Sequence, residues 1–520
     1  MKRRSFIKHV GHSLALPGVI SSFGFGMPGQ QTIQNLLKLA SENDRVLVLI
    51  YLSGGNDGLN TVIPLDQLSV LNKVRPEIVL PDTSILELGG SSAGLHPSFS
   101  GLKSLYDEGK LKVVQSVGYP DQNYSHFRST DIWMSGSDYN VFEPTGWTGR
   151  YLANEFPEFP VGYPNENFTD PIAIELGSGG SLLFQGPSSA MSMVIKNPDN
   201  FYQLIGNEVP EAPDTKAGDK LKHIRLIASQ SQAYGEVVKN AAAKVNNQLN
   251  YPTGNSLADQ LKIVARLIKG GLRTPLYMVK LGGFDTHSNQ VQADNHTLGS
   301  HAGLLTKVND GIMAFVKDME NLGIADRVLG MTFSEFGRRI ISNASYGTDH
   351  GSAAPLFVFG NEVLGGVLGK NPQIPGDATK SDNLEMQYDF RQVYASILEQ
   401  WFETSEFDTD AISMGNFERL TLIKGFENPI AGIGSQDPNI FGIYPNPVEN
   451  SAQVTFISDG SYMSMNLYDM QGHSLGQIYS GKLPIGKQKI EWRASGIPRG
   501  RYALVLKGKN LNYSKKLIKN

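Results

Sequence analysis

Residues 45–60, RVLVLIYLSGGNDGLN, put the tightest limit on what this chain can fold into. The first half is an unbroken run rich in Val, Leu and Ile, without polar alternation. Such a run reads as a strand buried on both faces, the situation of a parallel sheet covered by helices. The second half is a Gly-rich turn carrying Asn56 and Asp57. In open α/β sheets, ligands and catalytic groups gather beyond the carboxyl ends of the strands. The turn therefore lies on the functional edge if other strands of the chain end in the same way.

Several do. The run 111–118, LKVVQSVG, leads into GYPDQNYSHFRSTDIW, and 275–283 leads into GGFDTHSNQ. The run 327–333 leads into SEFGRR, and 355–360 follows a loop carrying GTDHG. Between and after these runs, 217–247, 256–270, 301–322 and 389–402 carry helical character. Leu261, Ile263, Val264, Leu267 and Ile268 show the spacing of a buried helix face. Strands alternating with amphipathic helices specify right-handed crossovers and a doubly wound, mostly parallel α/β sheet. Residues 136–213 are rich in Gly, Pro, Asn and Ser and read as long surface loops or an insertion forming part of a pocket wall. From residue 437 the texture changes. AQVTFISD, SMNLYDM, KQKIEW and RYALVLKG alternate polar with apolar residues between turns, the pattern of a small antiparallel β-sandwich.

A chain of 520 residues exceeds a single core, which stops growing near about 250–300 residues. The expected division is an export segment at 1–30, an α/β domain at 31–430 and the sandwich at 437–520. With 40% hydrophobic and 18% charged residues the chain is globular. A formal net charge of −4 gives no electrostatic case for nucleic acid as a partner. The absence of cysteine removes disulfides, zinc–thiolate sites and cysteine nucleophiles together.

The two ends speak to export. Lys2, Arg3 and Arg4 precede Ser5, Phe6, Ile7 and Lys8, and a weakly apolar stretch broken by Gly11, Pro17 and Gly18 follows. That stretch is too short and too interrupted to span a bilayer, and no other run is long enough for a transmembrane helix. The order resembles a bacterial twin-arginine signal, an address for proteins exported already folded; the duller reading is a basic tail. At the other end YPNP (444–447), LYDMQGH, SGIPRGRYALVL and SKKLIK resemble the sorting domain of the type IX secretion system. These resemblances imply twin-arginine and then type IX export machinery as partners. They also imply passage through the periplasm to the cell surface or the medium. An accessory carbohydrate-binding sandwich is the alternative for the C-terminal segment.

Compared with one another, the strand ends form a set. Asp57 follows the first strand, Ser125 and His126 the second, Asp285 and His287 the third and Glu335 the fourth, while Asp349 and His350 precede the fifth. Without thiols, carboxylates and imidazoles are the donors expected for zinc, manganese, calcium or magnesium. Two such ions a few Å apart at this edge would clamp a phosphoryl or sulfuryl group and activate a hydroxyl, for which Ser125 is the natural candidate. His126 and Arg128 are candidates for binding the anion or for structural hydrogen bonds.

At these residues the chain resembles a known family. YLSGGNDGLNTVIP, the segment GLHPSFSGLKSLYDEGKLKVVQSVGYPDQNYSHFRSTDIW, GGFDTHSNQ, MTFSEFGRR and TDHGSAAPLFVFG look like the signatures of domain-of-unknown-function family 1501. That family is similar to the alkaline phosphatase and sulfatase superfamily, and the resemblance implies an alkaline phosphatase-like sheet with a two-metal centre. By motif order it places a first-strand aspartate at Asp57, the nucleophile region at Ser125, metal ligands at Asp285 and His287, an acid at Glu335 and the last histidine at His350, beside Asp349. The chain departs from the pattern where Phe336 follows Glu335, so one imidazole is missing. The segment SHFRS also lacks the proline of a standard sulfatase motif.

Each candidate has a duller reading. Asp57 would cap a turn, Ser125 a helix, and Glu335 would pair with Arg338 or Arg339. His301 shares a helix face with Leu304 and Leu305 and reads as packed; His96 lines the pocket or shapes the turn before Pro97. Two functions follow. One is a secreted, metal-dependent hydrolase of a phosphate or sulfate ester, with a small ester or glycan as substrate. The other is a non-catalytic exported surface protein that binds polysaccharide or a protein partner.

Overall fold

The computed structural model describes residues 44–157, 159–166, 168–197, 233–426, 441–444, 448–458, 460–469, 474–494, 496–507 and 512–519. The expected export segment at 1–30 lies outside them. No described helix is long and apolar enough to cross a membrane.

The central unit, within residues 41–426, is built on nine strands. They are β1 (Val46–Ser53), β2 (Leu111–Gly118), β3 (Ala173–Leu176), β4 (Met193–Ile195), β5 (Leu276–Gly282), β6 (Val328–Phe333), β7 (Ala354–Phe359), β8 (Gly366–Leu368) and β9 (Tyr388–Asp389). Their order is β8-β2-β7-β6-β1-β5-β3-β4, with β9 beside β2. β1 lies at the centre, with Ile50 opposite Val279 of β5 on one side and Thr332 of β6 on the other, both in parallel register. β7 alone runs antiparallel, between β2 and β6. The sheet is thus mostly parallel, as the alternation of strands and helices requires. The reversal of β7 has a further effect: its start, not its end, lies on the edge where β1, β2, β5 and β6 finish.

The unbroken apolar run of β1 is explained by its two faces. Val46, Val48, Ile50 and Leu52 enter one core, with helices α1 (Ser100–Asp107), α4 (Ser256–Lys269) and α5 (Ser300–Asn321). Leu47, Leu49 and Tyr51 enter the other, with α2 (His126–Ser135), α3 (Trp147–Glu155) and α6 (Phe390–Gln400). Two of these helices, α4 and α6, begin at side-chain caps. The Asn255 side chain accepts from the Leu257 and Ala258 amides at the head of α4, and Asp389 with Gln392 forms a capping box on α6. α2 stops at Gly136, which is left-handed at φ 75°.

The reading of 136–213 as loops needs correcting over its described part. That stretch contributes α3 and adds β3 and β4 to the edge of the sheet. These strands have only four and three residues, too few to show a period between the surrounding Gly and Pro. Of the helix expected at 217–247, residues 233–243 are described and helical.

Among the described residues of the C-terminal unit the strands pair antiparallel, as the alternating pattern demanded, with one isolated parallel bridge between Val448 and Lys519. Phe441–Tyr444, Ser451–Ser458 and Gly486–Arg493 form one sheet; Ser474–Lys482, Tyr462–Asp469, Gly500–Lys507 and Asn512–Lys519 form the other. Val454, Phe456, Met463, Met465, Leu504 and Leu506 are buried in its core.

Leu49, fully buried in the middle strand, supplies a direct test of the two-faced core. Leu49→Ala is expected to cost about 2–5 kcal/mol in denaturant unfolding, whereas Val161→Ala at an exposed site should stay within about 0.5 kcal/mol.

Candidate metal centre at the strand ends

The chain leaves β1 through two glycines held at φ 129° and 76°. A side chain on Gly54 would place its Cβ 2.3 Å from the Asp285 amide nitrogen, and one on Gly55 would lie 2.3 Å from the Phe336 ring. Backbone therefore meets backbone here, which only glycine permits. Into this junction comes the fully buried side chain of Arg338. Its Nε donates to the Gly55 carbonyl at 2.7 Å and its Nη1 to Thr348 at 2.9 Å. Its Nη2 donates to the Phe284 carbonyl at 2.9 Å, to Asp285 Oδ1 at 2.7 Å and to the Gly54 carbonyl. One guanidinium thus ties together the exits of β1 and β5 and the loop entering β7.

Around Asp285 three imidazoles converge. His287 Nε2 and His350 Nε2 each lie 3.1 Å from Asp285 Oδ1 and 2.9 Å from each other. His126 Nε2 lies 3.4 Å from Asp285 Oδ2, and its ring centre is 4.4 Å from that of His350. His126, Asp285 and His350 each offer a donor atom within 4.8 Å of the others. The cluster opens to solvent, since Asp285 and His287 are nearly half exposed.

Each imidazole is held from behind by an acceptor. His350 Nδ1 donates to the Tyr124 carbonyl at 2.8 Å, a group that can only accept. His287 Nδ1 meets the Asp349 carboxylate at 3.0 Å, and His126 Nδ1 meets Glu335 Oε1 at 2.7 Å. With its Nδ1 donating to the Tyr124 carbonyl, the neutral His350 ring turns its Nε2 lone pair into the cluster. Burial lowers the pKa of His350, so the neutral form is the relevant one there. Burial acts to raise the pKa of Asp285, but the hydrogen bond and charge of Arg338, together with the neighbouring imidazoles, outweigh it and bring the carboxyl to about 2. The hydrogen bond to Glu335 raises the pKa of His126, against the effect of burial. His126 Nε2 is buried without a hydrogen-bond partner. A cation fits this donor set, and imidazole nitrogens with one carboxylate suit zinc, manganese or a similar ion better than calcium or magnesium, which prefer oxygen.

The structure sorts the residues expected from sequence into three groups. Asp285, His287 and His350 come together. Glu335 and Asp349 stand behind imidazoles: Glu335 Oε1 also accepts from the Gly54 amide at 2.9 Å, and Asp349 from Asn343 Nδ2 at 3.3 Å. Asp57, expected as a ligand, is engaged by groups other than the histidine cluster. It is 1% exposed, paired with Arg75 at 2.6 Å, and it accepts from the Leu59 amide and from Gln290. Burial acts to raise its pKa, but the Arg75 charge lowers it below the usual carboxylate range. Arg128 likewise differs from the anion-binding reading, because its Nη2 donates to the Tyr139 and Val141 carbonyls at 2.9 and 2.6 Å. Ser125 stands at the N-cap of α2, yet its side chain makes no capping bond. Its neighbours on both sides, Tyr124 and His126, each hold part of the cluster. His126 supplies an imidazole that the motif comparison found missing, and only its position one residue after Ser125 hinted at this.

Residues 209–413 match the family model described as "Protein of unknown function (DUF1501)", and residues 442–520 match that described as "Secretion system C-terminal sorting domain". The first match takes in Asp285 through His350, but neither Asp57 nor His126. The protein is thus a mostly parallel α/β protein with a histidine cluster at its strand ends, joined to a sorting domain that implies export. The segments GGFDTHSNQ, MTFSEFGRR and TDHGSAAPLFVFG fall within the stretch similar to DUF1501. A comparison with curated proteins finds no match.

Among solved structures, a sulfatase from Pseudoalteromonas sp. is 11% identical over 90% of this chain and 88% of its own, with a TM-score of 0.34. A protein in the alkaline phosphatase superfamily from Vibrio parahaemolyticus is 10% identical over 69% of this chain and 66% of its own, with a TM-score of 0.30. The alkaline phosphatase from the Antarctic bacterium TAB5 is 9% identical over 69% of this chain and 99% of its own, with a TM-score of 0.27. Likenesses this slight decide nothing about activity.

Two tests follow from the buried groups beneath the cluster. Removing one partner of the Asp57–Arg75 pair strands the other charge, so Asp57→Asn should destabilise the unit by about 3–5 kcal/mol in denaturant unfolding. His301 is fully buried and lies 2.9 Å from Asn56 Oδ1. Burial lowers its pKa from 6.5 to about 4, with Arg75 and Arg338 adding to the effect and Asp57 opposing it. On unfolding it regains its ordinary affinity for protons, so the unfolded chain binds more of them between about pH 6.5 and 4, and stability falls as pH falls through that window. His96, whose ring centre lies 6.1 Å away, adds to the same slope. Thermal unfolding of His301→Asn across this range should show a shallower fall than the parent.

Proposed function

We propose that the protein is an exported, metal-dependent hydrolase of phosphate or sulfate esters. One observation carries the reading: three imidazoles, each oriented by an acceptor behind it, face a single carboxylate at a solvent-open strand edge. In this reading Asp285, His287, His350 and His126 hold a divalent ion. When bound, that ion supplies Lewis-acid polarisation of the ester oxygen and lowers the pKa of a nearby hydroxyl.

The chain's own groups divide the remaining work. Arg338 fixes Asp285, while Glu335, Asp349 and the Tyr124 carbonyl set the imidazole planes. Ser125, between two residues that hold the cluster and with its hydroxyl not engaged in capping, is the nucleophile. Its Oγ forms a bond to the phosphorus or sulfur centre as the bond to the leaving oxygen breaks. The leaving alcohol takes up the proton that Ser125 Oγ gives up, and water then cleaves the seryl ester, returning a proton to Oγ and adding its hydroxyl to the released phosphate or sulfate. The twin-arginine signal, as a route for a protein already folded and loaded with metal, belongs to the same proposal, as does passage through the periplasm. The sorting domain supports delivery to the outside.

Metal analysis of the purified protein should find bound transition metal, together with turnover of at least one of an aryl phosphate, a phosphodiester or an aryl sulfate. Less than about a tenth of an equivalent and no turnover on all three would sink the proposal. His287→Ala should lose metal. Ser125→Ala should keep it and lose turnover by about a thousandfold or more. Metal bound without turnover of any ester would favour the non-catalytic surface protein instead.

A further inference from the structure

Two of the carboxylates that motif order assigns to a pair of metals already have permanent cations beside them. Asp57 is paired with the buried Arg75, and Asp285 with the buried Arg338. We propose that the centre takes a single divalent ion, and that the Arg338 guanidinium balances the charge that a second ion would otherwise carry. This rests on the metal-dependent reading above and sharpens it.

The donors argue for one ion. Asp57 Oδ1 accepts from Arg75 Nη1 at 3.3 Å and the Leu59 amide at 3.2 Å, and its Oδ2 accepts from Arg75 Nη2 at 2.6 Å and Gln290 at 2.5 Å. Both oxygens are occupied inside the protein. Glu335 Oε1 is engaged by the Gly54 amide and His126, with Ser334 Oγ 3.3 Å from its Oε2, and Asp349 Oδ1 by His287 and Asn343. Among the described residues only Asp285 presents a carboxylate to the Nε2 atoms of the imidazoles, and its Oδ1 already accepts from Arg338. Two dications a few Å apart repel strongly and need several shared or flanking carboxylates to sit together. This edge offers one.

Charge counting agrees. The carboxylates of Asp285, Glu335 and Asp349, set against one guanidinium, leave two negative charges around the cluster. One divalent ion cancels them; a second would leave an excess of two positive charges before any substrate arrives. A guanidinium does not lose its proton at any working pH, so the Arg338 contribution is fixed. Arg338 acts through Asp285 and the three strand-exit carbonyls, which makes it a positioning residue rather than a catalytic one.

The test is stoichiometry, read without activity. The purified full chain, stripped and then titrated with Mn²⁺, should saturate at one equivalent by elemental analysis and give the six-line electron paramagnetic resonance spectrum of an isolated ion. Saturation at two equivalents with a spin-coupled spectrum would overturn the single-ion proposal while leaving the metal-dependent reading intact. No binding would sink that reading itself. The paired change Asp57→Asn with Arg75→Met removes both buried charges together and should keep one equivalent. Loss of that equivalent from a variant with an unchanged circular dichroism spectrum would restore Asp57 as a ligand and overturn the assignment.

Discussion

The side chain of Arg338 is the constraint on which the functional edge depends. Parallel strands end with unpaired carbonyls, and where three chain segments meet at close range, water cannot reach all of them. A buried carbonyl without a donor is costly, and a buried guanidinium without acceptors costs more. Here each answers the other: carbonyls of Gly54, Gly55, Phe284 and Thr348 and the Asp285 carboxylate accept from one planar fork. The glycines at 54 and 55 follow from the same requirement, because any side chain there would collide with the Asp285 amide or the Phe336 ring.

Below this junction lies a second, fully internal network. Gln290 donates to Asp57, while its Oε1 accepts from Thr286 at 2.9 Å and Thr348 at 2.7 Å. It therefore links the turn after β1 to the loops carrying Asp285, His287 and His350. Asp57 acts on the cluster through these bonds, as a brace. The antiparallel course of β7 completes the arrangement, because it brings the loop before that strand to the edge where β1, β2, β5 and β6 end.

How much of this could be read from the sequence depended on the range of the interaction. The buried strands announce themselves, because burial on both faces forces a continuous apolar run, as 46–53 shows. The polar residues after each run could be placed on a common edge from strand direction alone. Partner choice could not. Nothing local distinguishes an aspartate that faces the imidazoles from one paired with Arg75, eighteen residues on in the sequence. His126 was read as an anion binder because no local signal shows that the start of α2 points its ring at His350. Residues 173–176 and 193–195 were missed as strands for another reason: segments so short carry no measurable period, and their pairing with the sheet is decided entirely by tertiary contact.

An open site still has to keep its geometry, and the placement of the supporting groups explains how it can. Asp285 and His287 are nearly half exposed, so solvent screens the bonds between them and would let free side chains turn. Glu335, by contrast, is 1% exposed and Arg338 fully buried, where hydrogen bonds to charged groups are strongest and movement is most restricted. The exposed donors are therefore steered by groups that solvent does not reach. His126 is set by Glu335, Asp285 by Arg338, and His350 by the Tyr124 carbonyl, which the start of α2 holds in place. A ligand entering from solvent meets side chains already turned to receive it, and the cost of ordering them has been met in folding rather than in binding.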